Sequence, residues 1–342
     1  MRFSKRPYLV VVLLLLAAFW LNVGVGPVFI SPGTFIRMLL SRIPGVILDA
    51  DWPATFNTIV FGIRLPHAIL IALTGAALSG SGATYQGLFR NPLADPYLIG
   101  VASGAGLGAV LAMSVEWPSA WLGFSSIPLA AFTGATVTVL FVYGLARQGF
   151  GLPTTTIILA GVAMSSFMNA LTSFLLLSTK EEMHQAMTWL LGGSLMSGWE
   201  PVTTVLPYLA AGFVLLLGSG HVLNVMQFGD EQALQLGLHV ERAKMWVIIA
   251  ATLTTAAAVA FSGVIGFIGL IVPHILRILC GPDYRHLIPL SLLGGSSALL
   301  VADMLSRVVL APQVLPVGVV TALAGAPFFI WILRRARSKI FW

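Results

Sequence analysis

The chain has 342 residues, of which 58% are apolar and only 9% charged, and its mean hydropathy is +0.95. Soluble globular domains carry about 25% charged residues, so water is excluded as the solvent for most of this surface. The net charge of +6 is spread over short gaps between apolar runs, which is a membrane-topology pattern and excludes a nucleic-acid-binding patch.

A helix crosses a bilayer core with roughly 20 apolar residues. The chain opens with Arg2, Lys5 and Arg6, and an apolar run follows from Tyr8 to Leu21. A secretory leader has a similar shape, but no small-x-small cleavage site closes this run, so it is read as a retained first span over 8–26. Residues 27–63 form a first polar stretch with Asp49, Asp51 and Trp52. Spans are predicted next at 64–88, 96–114, 126–146 and 155–178. Gly100, Gly104 and Gly108 recur every fourth residue, as do Gly75, Ser79 and Ala83, and such faces let helices approach closely in lipid.

A second polar stretch, Thr179 to Glu200, holds Lys180, Glu181, Glu182, His184, Trp189 and Trp199, and a span is predicted after it at 201–220. The third polar stretch, about 221–244, reads HVLNVMQFGDEQALQLGLHVERAK. Within it Asp230 to Leu238 has the marks of a short helix, with acidic residues in its first turn and Gly237 near its stop. A connection that only turned the chain would be shorter, and the segment carries apolar Ala233, Leu234, Leu236 and Leu238, so it is read as a docking surface for a partner. The remaining spans are predicted at 244–261, 265–280, 286–305 and 317–333, which brings the number to ten.

With the N-terminus inside, thirteen Lys and Arg residues fall on the inner side: Arg2, Lys5, Arg6, Arg90, Arg147, Arg242, Lys244, Arg277, Arg285, Arg334, Arg335, Arg337 and Lys339. Five fall outside: Arg37, Arg42, Arg64, Lys180 and Arg307. The bias predicts an even number of spans with both termini in the cytosol.

No G-x-x-x-x-G-K-[ST] occurs, so the sequence has no P-loop, and it has neither an H-E-x-x-H nor a nucleophile elbow. This leaves an intramembrane enzyme without a nucleophile and base. The single cysteine, Cys280, excludes an intrachain disulfide and a multi-cysteine metal site, and reads as a small apolar side chain. Ion-coupled carriers bury carboxylates or histidines at mid-membrane. Here Asp303 comes nearest, and its spacing to Arg307 predicts a local i, i+4 ion pair rather than a proton relay. The energy for transport then has to come from another subunit. The alternative, a stand-alone ion-coupled secondary transporter, rests on the glycine breaks at 263–269.

Five segments resemble the FecCD-type permease family, the membrane subunits of importers for ferric siderophores, haem and vitamin B12. They are RLPH (64–67) with GAALSGSGATYQGLFRNPLADPYLIGVASGAGLGA (75–109), LPTTTIILAGVA (152–163), MTWLLGGSLMSGW (187–199), GDEQALQLGL (229–238), and the run from SGVIGFIGLIVPHILRILCGPDYRH (262–286) through LVADMLSR (300–307) to LPVGVVTALAGAPFFIWILRR (315–335). They occur in family order and span nearly the whole chain.

The resemblance implies an all-α polytopic membrane protein of about ten transmembrane helices, with the type II ABC importer permease fold as one transmembrane permease domain over 1–342. It implies a homodimer in a bacterial inner membrane, with the pathway on the two-fold axis. Its partners are two ATP-binding cassette subunits inside, which hold ATP and Mg, and a substrate-binding protein outside. The chain itself then has no cofactor and no catalytic residue. An iron cargo, siderophore or haem, ranks first by its frequency in the family and vitamin B12 second. Asp230, Glu231, Gln232, Leu236 and Gly237 resemble the family's coupling helices, which seat in a groove of the ATPase. Arg64 and Arg307 match arginines that grip carboxylates of the binding protein, with snorkelling to the interface as the simpler reading. His67 stands where some relatives carry another arginine. Thr154 and Thr155 resemble a cytoplasmic gate, or else cap the fifth span.

Overall fold

The computed structural model describes residues 6–26, 28–44, 51–115, 120–121, 124–147, 152–178, 183–193 and 197–337. Arg2, Lys5, Asp49, Lys180, Glu181, Glu182 and Lys339, used in the sequence reading, lie outside the described residues.

The described chain is helical except for one antiparallel pair of two-residue strands, Ala120–Trp121 with Phe124–Ser125. Helix α1 (Arg6–Gly24) leads to the short α2 (Pro32–Leu40), which starts where Ser31 accepts a bond from the Thr34 amide and Pro32 follows. Helix α3 (Ala54–Asn57) passes through a π stretch, Thr58–Arg64, into α4 (Leu65–Leu88). The predicted second span therefore begins ten residues early. Pro66 has no amide hydrogen to offer, and the turn before it widens so that the Leu65 amide donates to the Val60 carbonyl.

Then come α5 (Val101–Ser114), α6 (Ser126–Ala146), α7 (Thr154–Ser178), α8 (Met183–Leu190) and α9 (Glu200–Gly218). The third polar stretch is more structured than the sequence implied: α10 (Gly220–Met226) turns the corner, α11 (Asp230–Gln235) follows, and α12 (Val240–Ser262) begins four residues before the predicted span. Helices α13 (Ile268–Cys280), α14 (Tyr284–Val308) and α15 (Val317–Arg337) complete the bundle. Among the described residues, seven helices are long and apolar enough to cross a membrane. Three shorter apolar ones, α5, α13 and α15, bring the number to the expected ten.

Lipid tails are as apolar as leucine, so helices in a bilayer cohere through close backbone approach and internal polar bonds. Helix α4 sits at the centre, packed against α14, α12 and α13. A Cβ on Gly75 would overlap the Gly295 carbonyl, one on Gly295 the Gly75 carbonyl, and one on Gly82 the Gly269 backbone. The Gly104 and Gly108 face does the same for α5 against α6, at Gly134 and Ala130. Both small-residue faces predicted from spacing are thus contact faces.

The break at residues 263–267 separates α12 from α13, and the Gly263 and Phe267 backbones have positive φ. Its polar backbone is satisfied internally, as hydrocarbon requires. The Tyr97 hydroxyl donates to the Ile265 carbonyl (2.9 Å) and accepts from the Ile265 amide (3.3 Å). At the start of α14, Asp283 accepts from the Arg285 amide (3.0 Å) and from Asn224 of α10 (2.6 Å), while Asn224 accepts from the Tyr284 amide. The hydrogen bonds from Arg285 hold the Asp283 carboxyl well below the usual carboxylate range.

Gly82→Ala is expected to lower the stability of the purified protein by about 2 kcal/mol or more, because the obstructing atoms are backbone. Gly144→Ala in α6, where a Cβ meets nothing within 4 Å, is expected to leave it unchanged or raise it by up to about 1 kcal/mol. Thermal unfolding of both variants in one detergent checks this, and equal shifts would contradict the packing argument.

Candidate functional site

The starts of α1 and α14 meet through Tyr8 and His286, and their far ends meet each other and the start of α4 through Asn22, Asp303, Val23 and Arg64, so the bundle has two ends. One carries Arg6, Arg90, Arg242 and Arg285 and is called here the basic end; the other carries Arg64 and Arg307. Each end holds a distinct constellation.

At the Arg64 end, Arg64 closes the π stretch at the head of α4. Its guanidinium does not project outward but turns in, and is 8% exposed. It donates to the carbonyls of Val23 (2.9 Å), Gly24 (3.3 Å) and Val28 (2.6 Å) in the connection after α1. Gly26 is tight against it, since a Cβ there would stand 2.8 Å from Nη2. His67, one turn on, lies 2.8 Å through Nε2 from Oδ1 of Asp303 on α14. The Asp303 side chain is 2% exposed. Its Oδ2 accepts from Asn22 Nδ2 (2.9 Å) and pairs with Arg307 Nη2 (3.0 Å). Arg307 also donates to the Asn22 carbonyl (2.9 Å). The predicted Asp303–Arg307 pair is therefore present. Sequence reasoning missed that His67 and Asn22 share the same carboxylate, because those partners come from two other helices. His67 and Arg307 are thus brought together around one buried acid, while Arg64 is held by backbone carbonyls of the connection after α1.

At the basic end, α11 projects with Glu231, Gln232, Leu236 and Gly237 exposed and Ala233 buried beneath it. Gly237 has φ 86°, the left-handed stop anticipated from sequence. Leu234 and Leu236 are each 66% exposed, and Phe228, which sequence reasoning did not single out, adds 65%. Three large apolar side chains thus stand clear of the protein on a segment too polar to span. Asp230 differs from its neighbours: it turns back toward the bundle and pairs with Lys244 (2.5 Å) and Arg90 (3.3 Å). Thr154 and Thr155 open α7 nearby. Thr155 is exposed, and Thr154 lines a small cavity with Leu88, Phe89, Ile157, Lys244 and Ile248. Among the described residues no three of His, Cys, Asp and Glu are grouped to hold a metal ion.

The model of the FecCD transport family matches residues 14–335, nearly the whole chain. The chain belongs to the FecCD transport family. It is 44% identical over 317 residues to the cobalamin import system permease protein BtuC of Halobacterium salinarum, covering 88% of this chain and 84% of that one. It is 38% identical over 294 residues to the hemin transport system permease protein HmuU of Yersinia pestis, covering 85% and 86%. Among solved structures, an inward-facing metal-chelate type ABC transporter matches with a TM-score of 0.83 and 27% identity, covering 97% of this chain and all of that one. The FecCD-type resemblance, the ten-helix expectation and the importer-permease fold expected from sequence agree with these likenesses, and the chain is a multi-pass membrane protein of a transport family.

Asp303→Ala should lower stability by about 3–5 kcal/mol, since it leaves Arg307 and His67 beside a buried void without their acid. Thermal unfolding in detergent measures this, and a loss below about 1 kcal/mol would show that the cluster is solvated rather than buried.

Proposed function

We propose that this chain is the permease subunit of an ATP-driven importer that moves a metal chelate across a bacterial inner membrane. The observation that carries the reading is the exposed apolar trio of Leu234 on the short projecting α11 with Phe228 just before it and Leu236 just after it, among the exposed Glu231 and Gln232. An exposed apolar patch rimmed by polar groups is a protein-docking surface. A separate ATP-binding subunit that supplies the missing P-loop, with its nucleotide and Mg, is the partner it fits. In this reading 1–342 is one permease domain without a cofactor or catalytic residue of its own, and Asp230, Glu231, Gln232, Leu236 and Gly237 form the coupling segment. Both termini lie in the cytosol, in accord with the basic end.

The same reading assigns the opposite end to a substrate-binding protein. Arg64 is a guanidinium whose hydrogen-bond partners are backbone carbonyls, and a carboxylate of a docking partner binds such a group more strongly; Arg307 beside it already pairs with Asp303. His67 stands beside them, against Asp303. A homodimer is supported by α7, whose buried residues are only Ile157, Gly161 and Thr172. The exposed Ser166, Asn169 and Ser173 on this helix suit a polar pathway shared with a second copy better than lipid. Thr154 and Thr155 stand at the inner mouth of that face as a gate. Relatives named for cobalamin and hemin support a metal chelate as the cargo.

The test is the ratio of transport to hydrolysis in a reconstituted assembly with the cognate ATP-binding subunit and binding protein. Glu231→Lys and Leu236→Asp should each cut chelate uptake per ATP at least tenfold, or abolish co-purification of the ATP-binding subunit, with the fold of the permease intact. Unchanged uptake and co-purification in both variants would remove α11 from the coupling role.

A further inference from the structure

We propose that Arg90 and Lys244 clamp α11 to the ends of α4 and α12, making α4 the rod that carries a signal from the Arg64 cluster to the coupling segment. This rests on the function proposed above.

The clamp begins with Arg90, the second residue past the end of α4, which holds φ 51°. An L-residue in this left-handed region is disfavoured by roughly 1–2 kcal/mol. The conformation aims the side chain at the next element: Nη2 stands 3.3 Å from Asp230 Oδ1. Gly229, with φ 104°, holds the positive-φ turn that leads into α11 beside Arg90. Lys244 completes the clamp from the other side. Its Nζ is 2.5 Å from Asp230 Oδ2 and 3.6 Å from Glu241 Oε1, and its side chain is only 8% exposed. An ammonium that far from water needs its carboxylate. One acid of α11 is therefore paired with two cations, one just past the end of α4 and one on α12, and Lys244 also lines the small cavity that Thr154 lines.

Helix α4 joins this clamp to the other constellation. Its first residues follow Arg64 and include His67, paired with Asp303. Between the ends, the contacts at Gly75–Gly295 and Gly82–Gly269 leave no gap in which α4 could shift alone. A helix of 24 residues spans about 36 Å, so a single continuous element links the Arg64 cluster to Arg90. The Arg90–Asp230 pair is poorly suited to holding the fold together, because both side chains are more than a third exposed and such pairs contribute little to stability. Its role is positional, and Arg90 and Lys244 are positioning residues for α11.

Two measurements separate the clamp from the function beneath it. In the purified chain alone, Arg90→Gln should speed amide hydrogen exchange over residues 229–238 about tenfold, with Arg90→Lys near wild type and the thermal midpoint unchanged in both. Exchange that is unchanged in Arg90→Gln overturns the clamp. In the full assembly in lipid nanodiscs, ATP hydrolysis is then read with and without the binding protein. Arg90→Gln should keep basal hydrolysis and lose at least fivefold of the stimulation by the binding protein, and Arg90→Lys should restore most of it. Stimulation retained within twofold despite faster exchange overturns the rod. If the wild-type assembly shows no stimulation, both the rod and the importer reading fall, and the exchange result alone decides the clamp.

Discussion

Hydrocarbon offers a helix no hydrogen bonds and no hydrophobic reward for meeting another helix, and this constraint organises the molecule. Cohesion at the centre comes from backbones brought into contact at glycines, Gly75 with Gly295 and Gly82 with Gly269. Several of the polar groups that remain inside are satisfied by other helices. The Tyr85 hydroxyl meets Thr252 (2.8 Å), Gln86 donates to the Leu270 carbonyl (3.1 Å), and Tyr97 serves the broken backbone at Ile265. The glycine break that kept an ion-coupled carrier in view is thus braced between α12 and α13 by Tyr97, whose own amide donates to Asp95.

Charge is displaced to the two ends, where it organises contacts rather than chemistry. Asp303 gathers three helices around one acid at the Arg64 end, and Asp230 gathers three elements around another at the basic end. Helix α4 contributes to both. A central helix that is tightly packed along its length and charged only at its ends suits the permease role proposed above.

Much of this was legible in the sequence because lipid makes the code simple. Apolar runs of the right length gave the spans, and small residues every fourth position gave the contact faces at Gly75 and Gly104. The i, i+4 spacing gave the Asp303–Arg307 pair. Boundaries were less legible where local chemistry intervened: the π stretch ahead of Pro66 lengthened α4, and α10 formed from residues that read as a loop. The long-range partners were not legible at all. Nothing near Asp230 in sequence points to Arg90, 140 positions away, and nothing near Asp303 points to Asn22 or His67. Phe228 was passed over because a single aromatic in a polar stretch has no period to betray it. The inward turn of Arg64 depends on carbonyls of another connection, which residue type alone does not reveal.

The central claim is that partner-driven transport passes through a chain with no engine of its own. It is tested most directly by uptake of labelled haem, cyanocobalamin and ferric citrate into vesicles holding this chain with its cognate ATP-binding subunit and binding protein. The account predicts accumulation of one of these chelates that requires ATP and all three proteins and is indifferent to proton and sodium gradients. Accumulation driven by an ion gradient with the permease alone would contradict it.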